Sequence, residues 1–440
     1  MNLVPVFAVL HIALYGFYIA LFQWLIQHWK FFAIDGVTKR QLTVFFLLKV
    51  AAGIILTVVY TYYYTDQSKT DIYRYFNDSK IISSLLFHHP FVWLRVISGI
   101  GIYDAEIFRH LLPTLYFSHS EADIVTNNTL IIRIASIFNY FSFYNIYTDT
   151  LFFNFTSFVG ITMLFKVLKK YFREFPQLLF IPLYLLPSVV FWSSGMLKEQ
   201  LVFTFIGPLF AFSLCTKDEG NYKRWIMIVV LLYIVYCIKP SIAVCLLPAL
   251  FFWVINCRKV KNKIYLSIAA VTLLCGLFFI SDNSVCEKII DKRNEFTLLA
   301  IAENAGSYFD TEMYPTDCNH LVALIPKALS DSMLQPFIWD KGNFFQLLFS
   351  IENLAFILLL IYLLIRYFKR PDKDKTLTVT SFLVFAFLNY LVIGITVPIT
   401  GAIVHYRVIA TPFLFIGILF FINQAALKED IKRRLKMFKL

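Results

Sequence analysis

The feature that most limits this chain is a series of apolar runs, each about as long as a bilayer is thick, punctuated by clusters of lysine and arginine. A helix needs ~20 mainly apolar residues to cross the hydrocarbon core. Eleven segments meet or approach that length: about 3–26, 42–64, 149–168, 176–193, 199–216, 225–239, 241–257, 263–281, 345–366, 376–396 and 407–426. Composition agrees, with 59% hydrophobic and 15% charged residues, where a soluble domain has ~45–50% and ~25%. Water cannot accommodate that much apolar surface; a bilayer can. The first run has no basic stretch before it and no small-residue cleavage site, so it is expected to be a spanning helix rather than a removed signal. The expected fold class is all-α: a polytopic transmembrane helix bundle of about eleven spanning helices, forming one membrane domain over 1–440.

Lysine and arginine orient the runs. Lys30, Lys39 and Arg40 follow the first. Lys166, Lys169, Lys170 and Arg173 close the third, and Lys217, Lys223 and Arg224 follow the fifth. Arg258, Lys259, Lys261 and Lys263 follow the seventh, and Arg366, Lys369, Arg370, Lys373 and Lys375 the ninth. Lys428, Lys432, Arg433, Arg434, Lys436 and Lys439 form the tail. These are most of the 40 Lys and Arg, and they fall in every second connection. Such alternation predicts an N-terminus outside and a C-terminus in the cytoplasm. It also assigns the net charge of +12 to contacts with anionic headgroups, which argues against nucleic acid as a partner.

Two connections are long, and the alternation puts both outside: 65–148 and 282–345. The first holds two apolar stretches, Ile81–Tyr103, interrupted by His88-His89-Pro90 and Arg95, and Leu130–Tyr147, interrupted by Arg133 and Asn139. They are expected to lie as helices in the interface, with Trp93 and the tyrosines at headgroup level. If both spanned, the segment between them would be cytoplasmic, yet it carries one basic residue, Arg109. Cys286 and Cys318 share the second connection and can pair if it faces an oxidising compartment; two unpaired thiols is the alternative. No C-x-x-C or His-rich spacing indicates a metal site, and no cofactor is implied.

Ionisable groups at the edge of the apolar zone are costly and become functional candidates. On a helix, Asp71, Arg74, Tyr75 and Asp78 share one face and can bind a sugar, a phosphate or a metal. The competing explanation is a helix cap at Ser68, with Asp71 at the third helical position. In Phe191-Trp-Ser-Ser-Gly-Met-Leu-Lys-Glu199, Lys198 would open a helix against its dipole, which suggests an anionic partner. Glu199 suits a first turn as a cap. Lys239-Pro240 forms another turn on the same expected side, where Lys239 either binds an anion or snorkels. His405 and Arg407 are expected to open the last helix, where Arg407 can grip a phosphate through paired hydrogen bonds. Glu352, two turns inside its helix, is a candidate partner for one of these cations. Lys49 is expected to snorkel.

Gathered into one pocket, these groups would hold a lipid-linked phosphate or pyrophosphate. The stretches Asp71-Ile-Tyr-Arg-Tyr, Pro187-Ser-Val-Val-Phe-Trp-Ser-Ser-Gly-Met-Leu-Lys-Glu, Lys239-Pro240 and His405-Tyr-Arg-Val-Ile-Ala-Thr-Pro412 resemble motifs of bacterial polytopic glycosyltransferases that use polyprenyl-linked sugars, including O-antigen and exopolysaccharide polymerases. The resemblance implies Asp71 and Glu199 as catalytic, Arg74, Asp78, Lys198, Lys239, His405 and Arg407 as substrate-binding, and a place in the bacterial inner membrane. The chain departs from that pattern in placing its aspartate after the second helix, without a paired Asp-Glu. A flippase or other transporter is the main alternative; a non-catalytic scaffold is the third.

Overall fold

A computed structural model describes residues 4–64, 66–102, 104–117, 128–213, 222–257, 284–302, 307–308, 318–340, 344–372 and 375–437. The expected run 263–281 lies outside the described residues. Among those described, the chain is all helix apart from isolated bridges. Five helices are long and apolar enough to cross a membrane: Ala8–His28, Lys39–Tyr63, Ile146–Lys169, Phe344–Tyr367 and Thr376–Thr396. A bent pair, Thr400–Arg407 and Ala410–Leu419, adds a sixth if counted as one span. This is an all-α membrane protein.

Exposed side chains support the same conclusion. On Phe344–Tyr367, the exposed large apolar residues are Phe344, Leu347, Leu348, Ile351, Leu354, Leu358, Ile361, Tyr362 and Ile365. They recur at spacings of three and four positions and so form one stripe. An apolar stripe of that length suits lipid and not water.

Contacts divide the chain into two units. Unit 1 comprises 1–167, 190–211 and 223–240. It contains α1 (Val4–His28), α2 (Lys39–Val58), α3 (Asp71–His88), α4 (Pro90–Ser98), α5 (Ala105–Leu111), α6 (Thr129–Ser142) and α7 (Ile146–Lys169). After α8 (Pro187–Trp192) come α9 (Lys198–Ser213) and α10 (Tyr222–Ile238). Thr38 starts α2 with a reciprocal cap: its hydroxyl accepts from Gln41 N–H, and Gln41 accepts from its backbone. A π-helical turn, Val59–Tyr63, continues α2. Aromatic rings seal α1 and α2 against α7, with Phe22 stacked on Phe155 at 4.2 Å and Phe46 edge-on to it at 5.8 Å. Gly160 of α7 and Gly207 of α9 face backbone of the opposite helix so closely that a Cβ on either would collide. Small residues of this kind let membrane helices cross backbone to backbone.

The first expected interfacial stretch breaks at one of its expected interruptions; in the second, Arg133 and Asn139 lie inside α6 and the break comes later. Residues 81–103 are split at His89-Pro90 between α3 and α4, because proline restricts the residue before it. Residues 130–147 are split after Ser142, where Phe143 and Tyr144 adopt φ of 52° and 61°. Left-handed backbone costs about 1–3 kcal/mol at such residues. Asn145 then caps α7 by accepting from the N–H groups of Tyr147 and Thr148.

Unit 2 comprises 168–189, 212–222 and 241–440. It contains most of α11 (Pro240–Cys257), then α12 (Ser284–Ala302), α13 (Cys318–Ala323), α14 (Ile325–Leu334), α15 (Phe344–Tyr367), α16 (Thr376–Thr396), α17 (Thr400–Arg407), α18 (Ala410–Leu419) and α19 (Gln424–Met437). α16 is the central post, packed by α12, α14 and α18. Phe382 of α16 meets Trp253, Phe413 and Phe420. Cys286 is buried and disulfide-bonded; the side chain of Cys318 lies outside the described residues.

Two expected spans are corrected. Residues 176–193 are not one helix but a 3-10 turn (Pro176–Leu179), a π turn (Ile181–Leu185) and α8. Pro176, Pro182 and Pro187 each remove a backbone donor from the ladder. Residues 407–426 are also not one helix: α17 ends at Arg407, α18 follows at a 58° bend, and α19 starts at Gln424.

Candidate functional site

In unit 1, polar side chains line the inner faces of α2, α7 and α9. Lys49 is ten residues into α2, ~15 Å from its start at 1.5 Å per residue. That is too deep to snorkel easily, and the expectation that it snorkels is overturned: its side chain is buried and donates to the carbonyl and hydroxyl of Ser193. One turn on, a Cβ at Gly53 would strike Asn154 and the Ser194 carbonyl. The turn Ser193–Gly195 therefore packs level with the middle of α2. Its position along α2, rather than the apolar count, shows that this turn is not a surface loop. Asn154 accepts from Gln200 at 2.8 Å.

Lys198 opens α9 as expected and is half-buried. Glu199 is buried and forms an ion pair with Lys239 at the start of α11. The sequence singled out Glu199 as a cap or catalytic group and Lys239 as an anion contact or snorkelling residue, but gave no sign that they meet across 40 positions.

The α3 cluster is drawn around a loop. Thr70, not Ser68, precedes the helix, so Asp71 occupies its first position rather than the third; Asp66 instead accepts from Ser68 N–H at 3.0 Å. Arg74 donates to the Ser68 carbonyl at 2.7 Å, and Tyr75 to Asn128 at 2.9 Å. Asp78 is buried and accepts from the backbone N–H groups of Leu115 and Tyr116, both at 2.9 Å. Burial pushes its carboxyl above the usual range, against the pull of those two donors. Burial also raises the Tyr116 phenol, on which Asp71 and Arg74 act in opposite directions. The shared face is therefore real, but Asp78 serves to hold the Leu115–Tyr116 segment.

Unit 2 contains a cavity of about 320 Å³ lined by α14, α15, α16, α17 and α18 together with Leu186 and Ser188. Its walls are mostly Leu, Ile and Phe. The expectation that Arg407 opens the last helix is corrected, since it closes α17. There its Nη1 donates to the carbonyls of Ser332 (3.1 Å), Met333 (3.3 Å) and Gln335 (2.5 Å). These are the last carbonyls of α14 and its flank, which lack helical donors and carry the negative end of the dipole. A guanidinium is favoured at that position.

Glu352 faces the same cavity from α15. Its carboxylate accepts from the Ser188 N–H at 2.9 and 3.0 Å. That N–H lies just after Pro187, in the first turn of α8, where no helical acceptor is available. Glu352 and Arg407 feel each other electrostatically, and no direct ion pair between them exists among the described residues. Tyr390 and Thr411 share a 2.9 Å hydroxyl contact on the same lining. His405 is buried beside Tyr406, rings 5.2 Å apart, and does not line the cavity.

The arrangement is a greasy pocket with one cation and one anion on its lining. It suits an amphiphile whose head is anionic. Among the described residues, no three His, Cys, Asp or Glu side chains gather as a metal site requires. No family model, curated protein or solved structure matches the chain.

Proposed function

We propose that the protein is a membrane glycosyltransferase or polymerase. It would use polyprenyl-phosphate- or pyrophosphate-linked sugars at the outer face of the bacterial inner membrane, in surface-polysaccharide assembly. The observation that carries this is the unit 2 cavity, where Arg407 and Glu352 share apolar walls. The polyprenyl chain would lie along Phe356, Leu360 and Leu414. Arg407 would hold the phosphate, and its charge would stabilise the departing lipid phosphate. An acceptor hydroxyl attacks the anomeric carbon, the bond to the lipid phosphate breaks, and a carboxylate takes the hydroxyl proton. Glu352 lies beside Arg407 and fits that base role; Asp71 is the rival candidate.

A second reading has its own support. The broken stretch Pro176–Trp192 and the bent α17–α18 pair resemble the interrupted helices around transporter sites. The same cavity would then pass a lipid-linked glycan across the membrane.

The test is reconstitution in liposomes with a polyprenyl-pyrophosphate-linked sugar. A transferase forms a new glycosidic bond and releases polyprenyl pyrophosphate; a flippase only moves the lipid between leaflets. Arg407→Ala should lower turnover by about 10²–10³-fold, as loss of an electrostatic stabiliser does. Arg407→Lys keeps the charge and reports on cases where the alanine variant misfolds. Glu352→Gln should abolish turnover and Asp71→Asn should spare it; the reverse result assigns the base to Asp71. Movement of lipid without bond formation would overturn the transferase reading.

A further inference from the structure

Unit 1 holds a carboxylate that the lipid-phosphate reading does not use. Asp149 lies in the first turn of α7 and is fully buried. Apart from a weak contact with the Ser142 hydroxyl, neither of its oxygens has a hydrogen-bond partner. Ser142, the last residue of α6, is also fully buried, and its side chain acts on Asp149. One turn back along α6, Asn139 is fully buried. Its amide group donates to Ser79 and Ser83 at 3.0 Å each, yet its Oδ1 has no partner. The Thr150 hydroxyl, next in the chain, has none either. The stretch around the α6–α7 corner is thus rich in accepting oxygens and short of positive charge.

Among the described residues, no protein group supplies that charge. Of the helices packed against α7, α1 carries His11, Tyr15, Tyr18 and His28, and α7 itself carries Tyr147 and, at its far end, Lys166 and Lys169. α2 carries Lys49, which is taken up by Ser193. α6 carries Arg133, over the Phe117 ring, and α9 carries Lys198 and Glu199, the latter paired with Lys239. None of them is paired with Asp149 among the described residues. An ionised carboxylate buried without a counter-charge is strongly unfavourable, the more so among membrane helices.

We propose that Asp149, at the α6–α7 corner, binds a small monovalent cation, a sodium ion or a proton. The valence follows from the charge: one carboxylate neutralises one positive charge, and a divalent ion would leave a net charge buried. Oxygen donors suit a hard cation. The site is separate from the unit 2 cavity and does not depend on what that cavity binds.

The experiment is thermal unfolding of the purified full-length protein at constant ionic strength, with choline replaced by sodium or potassium, at acidic and at alkaline pH. A ligand that binds only the folded state raises the midpoint as its concentration rises. If sodium is the occupant, the wild-type midpoint climbs with sodium at alkaline pH. If the proton is, the midpoint falls from acid to alkaline pH and sodium changes nothing. In either case Asp149→Asn, which keeps the shape, should lose the response. Ser142→Ala should weaken it, and decides the matter if the asparagine variant does not fold. A substituted protein that answers sodium and pH as the wild type does would overturn the proposal. So would a wild type indifferent to both.

Discussion

Glu199 and Lys239 show how a single residue can mislead when read alone. Each is a charge in an apolar neighbourhood, so each looks like a substrate contact. Together they form a pair whose side chains are 2% and 12% exposed, and each accounts for the other. Breaking a buried pair from one side leaves an uncompensated charge and costs about 3–5 kcal/mol. Glu199→Ala or Lys239→Ala alone should therefore sharply lower the unfolding midpoint in detergent. Glu199→Leu with Lys239→Met should recover most of that loss, because well-packed apolar replacements of buried pairs are often neutral. If the double variant is as unstable as the sum of the single ones, the two charges do not act as a pair. Lys49 teaches the complementary lesson. Its depth along α2 was countable from the sequence, but its acceptor, Ser193, is 144 positions away, and no local pattern encodes that.

At the scale of elements, legibility followed continuity. Runs without internal proline emerged nearly as expected: α16 occupies Thr376–Thr396 and α15 Phe344–Tyr367. Two runs with proline broke, around Pro182 and Pro187 and just before Pro412, while Pro208 in α9 and Pro248 in α11 lie inside continuous helices; hydropathy does not register a break, because proline leaves mean apolarity almost unchanged. The role of Arg407 was misread for the same reason: the α17–α18 bend turned an expected helix start into a helix end. The tail helix α19 was legible as a basic segment, but not as a docked one. Asp430 docks it, accepting from Tyr367 at 2.5 Å, with Arg366, Arg433 and Arg434 around it. The Tyr367 hydroxyl and these cations hold its carboxyl below the usual range. A depressed carboxyl contributes stability above its unfolded value, ~3.9, and loses it as pH falls through the folded value. Hydrogen exchange in α19 should therefore accelerate below about pH 4. Asp430→Asn should show that faster exchange already at neutral pH. Equal protection in both proteins across the range would mean that α19 is held by something else.

At the scale of the whole molecule, sidedness is what the functional proposal most needs. Two independent arguments bear on it. Basic residues cluster in alternate connections and in the tail, which predicts a cytoplasmic C-terminus. Cys286, in the connection predicted to lie outside, is disulfide-bonded, and such bonds persist in oxidising compartments. The first argument concerns insertion and the second redox environment, so their agreement is not built in. It can be checked with a membrane-impermeant thiol reagent on intact cells. Ser98 at the end of α4 and Glu429 in α19 are both exposed and lie in connections assigned to opposite sides. Ser98→Cys should be labelled from outside, above the level of the unsubstituted chain. Glu429→Cys should be labelled only after permeabilisation. The reverse result would put the 65–148 and 282–345 connections in the cytoplasm. An enzyme taking lipid-linked sugars at the outer face would then be excluded, while the cation site at Asp149, which needs only a buried carboxylate, would remain open to its own test.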